Sequence, residues 1–487
     1  MAKIGIVPAN RQHLPDIGTT MNNGNLGAPR YECPSPWDIW NTLNEPWCDR
    51  IRQIPTDAVV LINEAEPAQF LAYLWSGLLA KAALVLANPN WQQQEWQQVA
   101  AQLKPDVILG QSPPVSFNLS NQQPEPGQIL IATGGTSGKI KFVIHTWTTL
   151  STAAQGFLTH FDQTPVNSYC VLPLYHVSGL MQAMRVWLSG GQLIIQPFKD
   201  LDADQRLVQP NQTWFISLVP TQLQRLIKNG NTLLWLSQFR AILLGGAPAW
   251  PTLLAQTAQL PIALTYGMSE TAAQVATLLP TDFQQGVRSN GSPLPHVTLA
   301  VHELKSFQPQ PVGTMGRIAL RTASLGLGYW PAIPLSPHQS WFYPDDLGYI
   351  DQQGHLHIVG RHSQKIITGG ENVFPVEVEA AILATGLVQD ICVVGLPDPV
   401  WGQAVAALCV PAPHSQTTPQ KLKAALKPVL SAYKHPKHWH WVAQLPRNAQ
   451  GKVNRSVVME WLTASIAPVR GSGDDAGDSC CQYRHGE

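Results

Sequence analysis

The chain has 487 residues, well beyond the ~250–300 at which a single hydrophobic core stops growing, so at least two domains are expected. Its 31 basic and 31 acidic residues cancel to a formal net charge of zero, which leaves no global electrostatic footprint for nucleic acid or an anionic membrane. The 7 cysteines, at 33, 48, 170, 392, 409, 480 and 481, form no C-x-x-C pair; this odd set argues against a disulfide framework and a zinc cluster and fits a reducing cytoplasmic setting.

Taken in chain order, residues 1–30 lack the basic region, apolar run and small-residue cleavage site of a secretory signal. Apolar runs then alternate with helical patterns: a strand over 58–62, a helix over 67–80, a strand over 82–87, a helix over 94–102 and a strand over 106–109. Pro67 suits the first turn of its helix, where a missing N–H costs nothing. The alternation predicts βαβ units and a mainly parallel sheet. Residues 70–87 approach the length of a membrane helix, but Lys81 interrupts them, and Gly77 and Asn88-Pro89-Asn90 punctuate them as a buried helix and a buried strand. No membrane span is expected. Residues 112–128, rich in Pro, Gln, Asn and Ser, read as a connection, and further strands are predicted over 129–132, 168–172, 192–196, 214–219 and 240–244. Near 360 the texture changes to a compact αβ unit, with strands over 391–395 and 405–410 and a helix over 419–430. The fold class is therefore α/β: a large N-terminal α/β region with mainly parallel sheets over 1–360, a smaller mobile α+β lid over 361–465, and a Gly-, Asp- and Cys-rich tail over 466–487 expected to be disordered.

The first chemical motif follows the strand at 129–132 and reads Thr133-Gly134-Gly135-Thr136-Ser137-Gly138-Lys139-Ile140-Lys141. Glycines let backbone approach an anion closely, and the hydroxyls and amides supply donors, so the composition can cradle phosphate. It is not a P-loop, because Thr133 stands where the first Gly is needed and Ile140 where the magnesium-binding hydroxyl is needed. On composition alone a hairpin turn fits as well. Other elements accompany it: Gly245-Gly246-Ala247 at a strand end, Tyr266-Gly267-Met268-Ser269-Glu270-Thr271, Pro344-Asp345-Asp346, Gly360-Arg361, Thr368-Gly369-Gly370-Glu371-Asn372, and Pro446-Arg447-Asn448-Ala449-Gln450-Gly451-Lys452.

In this order, over roughly 35–460, these elements resemble the acyl-CoA synthetase, adenylation-domain and luciferase superfamily. Within it, Pro173-Leu174-Tyr175-His176-Val177-Ser178-Gly179-Leu180 with Arg185 on the following helix looks most like the o-succinylbenzoate:CoA ligases of menaquinone and phylloquinone synthesis. The resemblance implies an ATP-dependent, AMP-forming ligase using ATP, Mg2+ and CoA. A substrate carboxylate attacks the α-phosphate and expels pyrophosphate; a CoA thiolate then attacks the acyl-adenylate and expels AMP. Other aryl- or fatty-acid:CoA ligases, a carrier-protein-loading enzyme and a nucleotide binder without turnover are the alternatives, and homo-oligomerisation is left open.

The residue roles also come from the resemblance. Thr133, Gly134, Gly135, Thr136, Ser137, Gly138 and Lys141 would close over the β- and γ-phosphates, with Ile140 standing where the family usually has proline. Glu270 is the candidate magnesium ligand, since Mg2+ favours one or two carboxylates plus phosphate oxygens; the alternative is a helix N-terminal carboxylate. Ser269 would face the α-phosphate, and Tyr266 and Gly267, with Gly245, Gly246 and Ala247, would hold adenine. Asp346 would bind the ribose diol, with Asp345 competing for the role, and Arg361 would reach ribose or phosphate or else make an interdomain ion pair. Lys452 would bridge carboxylate and α-phosphate, cancelling the repulsion of two anions; a lysine taken alone reads as a surface residue. After adenylation the lid would turn about Ser363, where the family more often has Asp or Lys, to present Gly369 and Gly370 to pantetheine. His176 would gate the carboxylate end of the acyl pocket, and Arg185 would pair with a second substrate carboxylate or instead bind backbone carbonyls at the core edge.

Overall fold

The computed structural model describes residues 54–117, 122–134, 140–331, 333–335, 341–413, 417–447 and 453–466. Gly135, Thr136, Ser137, Gly138, Lys452 and the tail lie outside the described residues.

Two seven-stranded sheets carry the larger part of the chain. Numbering strands in chain order, the first holds β1 (Val59–Asn63), β2 (Ala83–Leu86), β3 (Val107–Gly110), β4 (Gln128–Gly134), β5 (Ile140–Thr146), β15 (Gly328–Trp330) and β16 (Ile333–Pro334), in the order β16-β15-β5-β4-β2-β1-β3. Its β3-β1-β2-β4 half is parallel, as the alternation predicts, and β5, β15 and β16 extend it antiparallel. The second holds β6 (Asn167–Cys170), β7 (Leu193–Ile195), β8 (Trp214–Leu218), β9 (Ala241–Leu244), β10 (Ile262–Met268), β11 (Ala273–Thr277) and β12 (Ser292–Pro293), parallel from β7 through β10 and antiparallel beyond.

Burial on both faces explains why these strands are almost continuously apolar. In β1, Val60 and Ile62 face one core and Val59 and Leu61 another; in β8, Trp214, Ile216 and Leu218 face one and Phe215 the other. The first core lies between the two sheets and includes Trp75 of the Pro67–Leu79 helix, Leu150 of Trp147–Phe161 and Leu180 of Val177–Ser189. Pro67 does fall in the first turn of its helix, which is capped by Glu66 accepting from the Ala68 and Gln69 N–H groups. The 70–87 stretch divides into that helix and β2, and among the described residues no helix is long and apolar enough to cross a membrane.

Two smaller sheets follow. β13 (Val297–His302), β14 (Gly316–Thr322), β17 (Asp346–Ile350) and β18 (Leu356–Arg361) form an antiparallel sheet that the strand pattern did not announce. It ends at Arg361. From Ile366 a five-stranded sheet begins, with β19 (Ile366–Thr368), β20 (Glu371–Val373), β21 (Val388–Asp398), β22 (Gly402–Pro411) and β23 (His438–Trp441). β21 and β22 are longer than the expected 391–395 and 405–410, because the two pair along their full length; the Pro419–Leu426 helix stops short of 430. Helices Pro375–Ala384, Pro419–Leu426 and Arg455–Ile466 pack on this sheet with cores of their own.

Candidate active site

The first, second and third sheets meet at one place. β10 pairs with β9 only through residues 262–264; the remainder continues past the end of β9 and turns back as β11. That overhang carries Tyr266 and Gly267, and Gly245, Gly246 and Ala247 lie just beyond the end of β9. Gly245 is required there, since an added Cβ would stand 2.2 Å from Thr265 Oγ1.

Tyr266 reaches from β10 to the third sheet, where its hydroxyl donates to Asp346 Oδ2 at 2.7 Å. Asp346 opens β17 directly opposite Arg361 at the end of β18, and Arg361 Nε lies 3.4 Å from its Oδ1. Burial raises the Asp346 carboxyl above the ordinary range, and the Arg361 charge and the Tyr266 hydroxyl pull it down again. Burial, reinforced by the Asp346 charge, holds the Tyr266 phenol well above its usual range, so it remains a donor. Asp345 points elsewhere: its carboxylate accepts from the Ser363 hydroxyl and from the Ser363 N–H at 3.2 Å, and its carbonyl accepts from the His362 N–H at 2.8 Å. Chain direction therefore separates the two adjacent carboxylates, with Asp346 facing the site and Asp345 holding the turn His362–Gln364.

Ser269, Glu270 and Thr271 form a single 3₁₀ turn between β10 and β11. No helix starts there, which leaves a macrodipole role for Glu270 without a dipole. Glu270 Oε1 accepts from the Tyr329 hydroxyl at 2.5 Å, and the Lys141 ammonium lies 5.5 Å from the Tyr329 ring centre. Thr133 and Gly134 end β4, opposite Lys141 and Ile140 at the start of β5, so the Gly- and hydroxyl-rich segment joins two paired antiparallel strands. The Glu270 carboxylate, a hard oxygen donor, fits a magnesium ion that takes its other ligands from phosphate and water.

His176 precedes the Val177–Ser189 helix, with its ring centre 4.6 Å from that of Tyr175. Arg185, two and a half turns on, is buried; it donates to Gln274 Oε1 at 2.6 Å and stacks 4.0 Å from the Phe157 ring centre. Its described hydrogen bond thus goes to a side chain and not to a backbone carbonyl. Burial lowers its pKa to about 9, which still leaves it cationic at neutral pH. Gly369 and Gly370 form the turn between β19 and β20, both at positive φ; at Gly369 (φ 58°) an added Cβ would also meet the Trp401 ring at 2.8 Å. Val453 bridges to Arg447 across the 448–452 segment that includes Lys452.

Residues 111–330 match the family model described as AMP-binding enzyme, and 377–452 match its C-terminal domain. The chain is 32% identical over 360 residues to a protein from Bacillus licheniformis named 2-succinylbenzoate–CoA ligase, covering 72% of this chain and 73% of that one. It is 32% identical over 332 residues to a protein of the same name from Geobacillus kaustophilus, covering 67% of each. The chain belongs to the AMP-binding enzyme family. Solved structures agree on the fold: o-succinylbenzoate CoA synthetase from Bacillus subtilis in complex with an acyl-adenylate superposes with a TM-score of 0.71 at 24% identity, over 84% of this chain and 89% of that one. ATP-bound MatB from Rhodopseudomonas palustris superposes with a TM-score of 0.70 at 21% identity, over 84% and 90%.

Three residues of this enzyme's site escaped the sequence reading. Tyr329 follows Gly326 and Gly328 in a short segment whose only signal was its glycines. Gln274 shows no pattern until β11 is seen beside the Val177–Ser189 helix. His145 ends an apolar run; its Nε2–H donates to the Ser269 carbonyl at 2.7 Å, and burial lowers its pKa to about 4.

Proposed function

We propose that this enzyme is a cytoplasmic 2-succinylbenzoate–CoA ligase, converting ATP, 2-succinylbenzoate and CoA to the CoA thioester, AMP and pyrophosphate. The observation that carries the reading is the meeting of Tyr266, Asp346 and Arg361 beside the Glu270 turn. One strand end offers an aromatic face, the next sheet a diol-binding carboxylate and a cation, and the turn a carboxylate suited to magnesium. Tyr266 and the Gly245-Gly246-Ala247 backbone bracket adenine; Asp346 exchanges the Tyr266 hydroxyl for ribose hydroxyls; Thr133 to Lys141 close over the β- and γ-phosphates.

In the first half-reaction a carboxylate oxygen of the acid attacks the α-phosphorus as the bond to pyrophosphate breaks. Both reactants are anionic, so the chain's contribution is positioning and fixed positive charge, from Lys452, Lys141 and Arg361. Glu270 would hold magnesium, which when bound would supply further charge neutralisation on the phosphates. In the second, a CoA thiolate attacks the acyl carbon and the bond to AMP breaks, with the 361–465 lid turned so that Gly369 and Gly370 line the pantetheine path.

Substrate choice rests on Arg185. A buried guanidinium whose described partners are a neutral amide and an aromatic face retains most of its charge unmatched. The second carboxylate of 2-succinylbenzoate matches it, and the names of the relatives point to the same acid. Pyrophosphate release measured across carboxylic acids, with and without CoA, tests the whole reading. 2-Succinylbenzoate is expected to be preferred over benzoate and thioester to form only with CoA. Arg185→Met is expected to erase most of that preference, since loss of a hydrogen-bonded charge partner costs about 2–5 kcal/mol. Equal use of the two acids by the native enzyme overturns the assignment.

A further inference from the structure

The Ser269–Thr271 turn is held from outside at every carbonyl. The Ser269 carbonyl accepts from His145 Nε2–H at 2.7 Å, that of Glu270 from the Gly326 N–H at 2.8 Å, and that of Thr271 from the Ser324 hydroxyl at 3.1 Å. Three donors from two separate segments fix the backbone of a turn only three residues long, so the Glu270 Cα has little freedom. The segment that supplies Ser324 and Gly326 continues into β15, which pairs with β5 so that Tyr329 stands opposite Val143. From there the Tyr329 hydroxyl reaches the carboxylate of the same residue whose carbonyl Gly326 holds. One stretch of chain thus grips Glu270 twice, by its backbone and by its side chain.

We propose that Tyr329 is the positioning residue for Glu270: by donating to Oε1 it fixes the carboxylate's rotation and directs Oε2 toward the nucleotide phosphates and the magnesium they carry. The assignment rests on the nucleotide reading of the site. A glutamate has three rotatable bonds, and without an anchor its carboxylate samples orientations that face away from the phosphates. The anchor is a phenol, which does not compete with the metal for the carboxylate's charge as a cation would. Lys141, 5.5 Å from the ring centre, stays on the phosphate-loop strand and does not neutralise Glu270 directly.

Tyr329→Phe removes one oxygen and preserves the ring that packs under Lys141. Outer-shell partners of a metal ligand typically contribute 10–100-fold to metal affinity. Binding of Mn2+, in place of Mg2+, to the protein with α,β-methylene-ATP is followed by the loss of the free-ion electron paramagnetic resonance signal. Tyr329→Phe is expected to raise the half-saturating manganese concentration about 10-fold, with the metal-free melting temperature within a degree or two of native. In pyrophosphate exchange, the magnesium concentration for half-maximal rate is expected to rise more than kcat falls. In a Glu270→Gln background the Tyr329→Phe change is expected to add no further loss of manganese affinity. Native binding of manganese with an unchanged Tyr329→Phe affinity, or a full further loss on top of Glu270→Gln, overturns this assignment alone. Failure of the native protein to bind manganese with the analogue overturns the nucleotide reading and this assignment with it.

Discussion

Burial lifts the Asp346 carboxyl above the ordinary range while Arg361 and Tyr266 draw it back, so its ionisation depends on the neighbours it keeps. In the proposed ribose role the ionised form is the stronger partner, since both of its oxygens are charged acceptors. The acid limb of kcat/KM for ATP is therefore expected above the ordinary aspartate range, with activity lost as pH falls through the Asp346 pKa. Removing the favourable charge in Arg361→Met moves that limb to higher pH; a pH–rate profile that does not move separates Asp346 from the limb. The divergence of the two adjacent carboxylates gives a second residue-scale expectation. Asp346→Ala weakens ATP binding by tens of fold or more, whereas Asp345→Ala, whose side chain is turned to Ser363, leaves it near native in a calorimetric titration. Glu270→Gln is expected to leave the protein folded and to slow adenylation by about 100-fold or more, seen as pyrophosphate exchange at saturating Mg2+.

Among the elements, the turn His362–Gln364 and the strand β5 carry expectations of their own. Asp345 accepts from both the N–H and the hydroxyl of Ser363, so the turn between the third and fourth sheets is tied back to the third. Asp345→Ala frees it, and faster amide hydrogen exchange over 362–366 is the expected sign. β5 carries His145 as its next-to-last residue, neutral and bonded to Ser269. Its folded pKa, about 4, lies below the ordinary 6.5, so between those values the unfolded chain binds more protons than the folded one. Stability is therefore complete above about pH 6.5 and lost as pH falls toward 4, with a contribution of roughly 3 kcal/mol from this residue. His296, lowered to about 4 by burial, adds in the same direction. Urea denaturation from pH 7 to 4 checks the slope, and His145→Gln, whose amide can still donate to Ser269, is expected to flatten part of it.

For the molecule as a whole, the two half-reactions should separate genetically. On the proposed reading, Lys452 would serve the first and the Gly369-Gly370 turn the second. Lys452→Ala is expected to slow adenylation by roughly 10²–10³, the cost of one preorganised donor to a developing charge, while thioester formation from preformed acyl-adenylate and CoA stays near native. Gly369→Val has the opposite pattern; the residue's positive φ and the nearby Trp401 ring make a side chain there strained, so a melting curve must accompany the kinetics. If Lys452→Ala damages both half-reactions equally, alternation of the lid is wrong.

Much of this molecule can be read from local sequence because its strands are buried on both faces. A parallel strand with helices on either side needs an unbroken apolar run, and the runs at 58–62, 82–87 and 214–219 locate β1, β2 and β8 to within a residue or two. The site motifs are also local: a glycine that lets backbone approach a phosphate, or a tyrosine, serine and glutamate on one strand end, need only their own neighbourhood to be recognised. Partnership is not local. Tyr329 lies 59 residues from Glu270, Tyr266 lies 80 from Asp346, and Arg185 lies 89 from Gln274. No periodicity links such pairs, because their meeting depends on sheet order: β15 returning to the edge of β5, and β17 beginning where β10 overhangs β9. Two neighbouring aspartates with identical chemistry illustrate the division. The sequence leaves Asp345 and Asp346 as rivals, and only the alternating direction of side chains at the start of β17 sends one toward Tyr266 and the other to the His362–Gln364 turn.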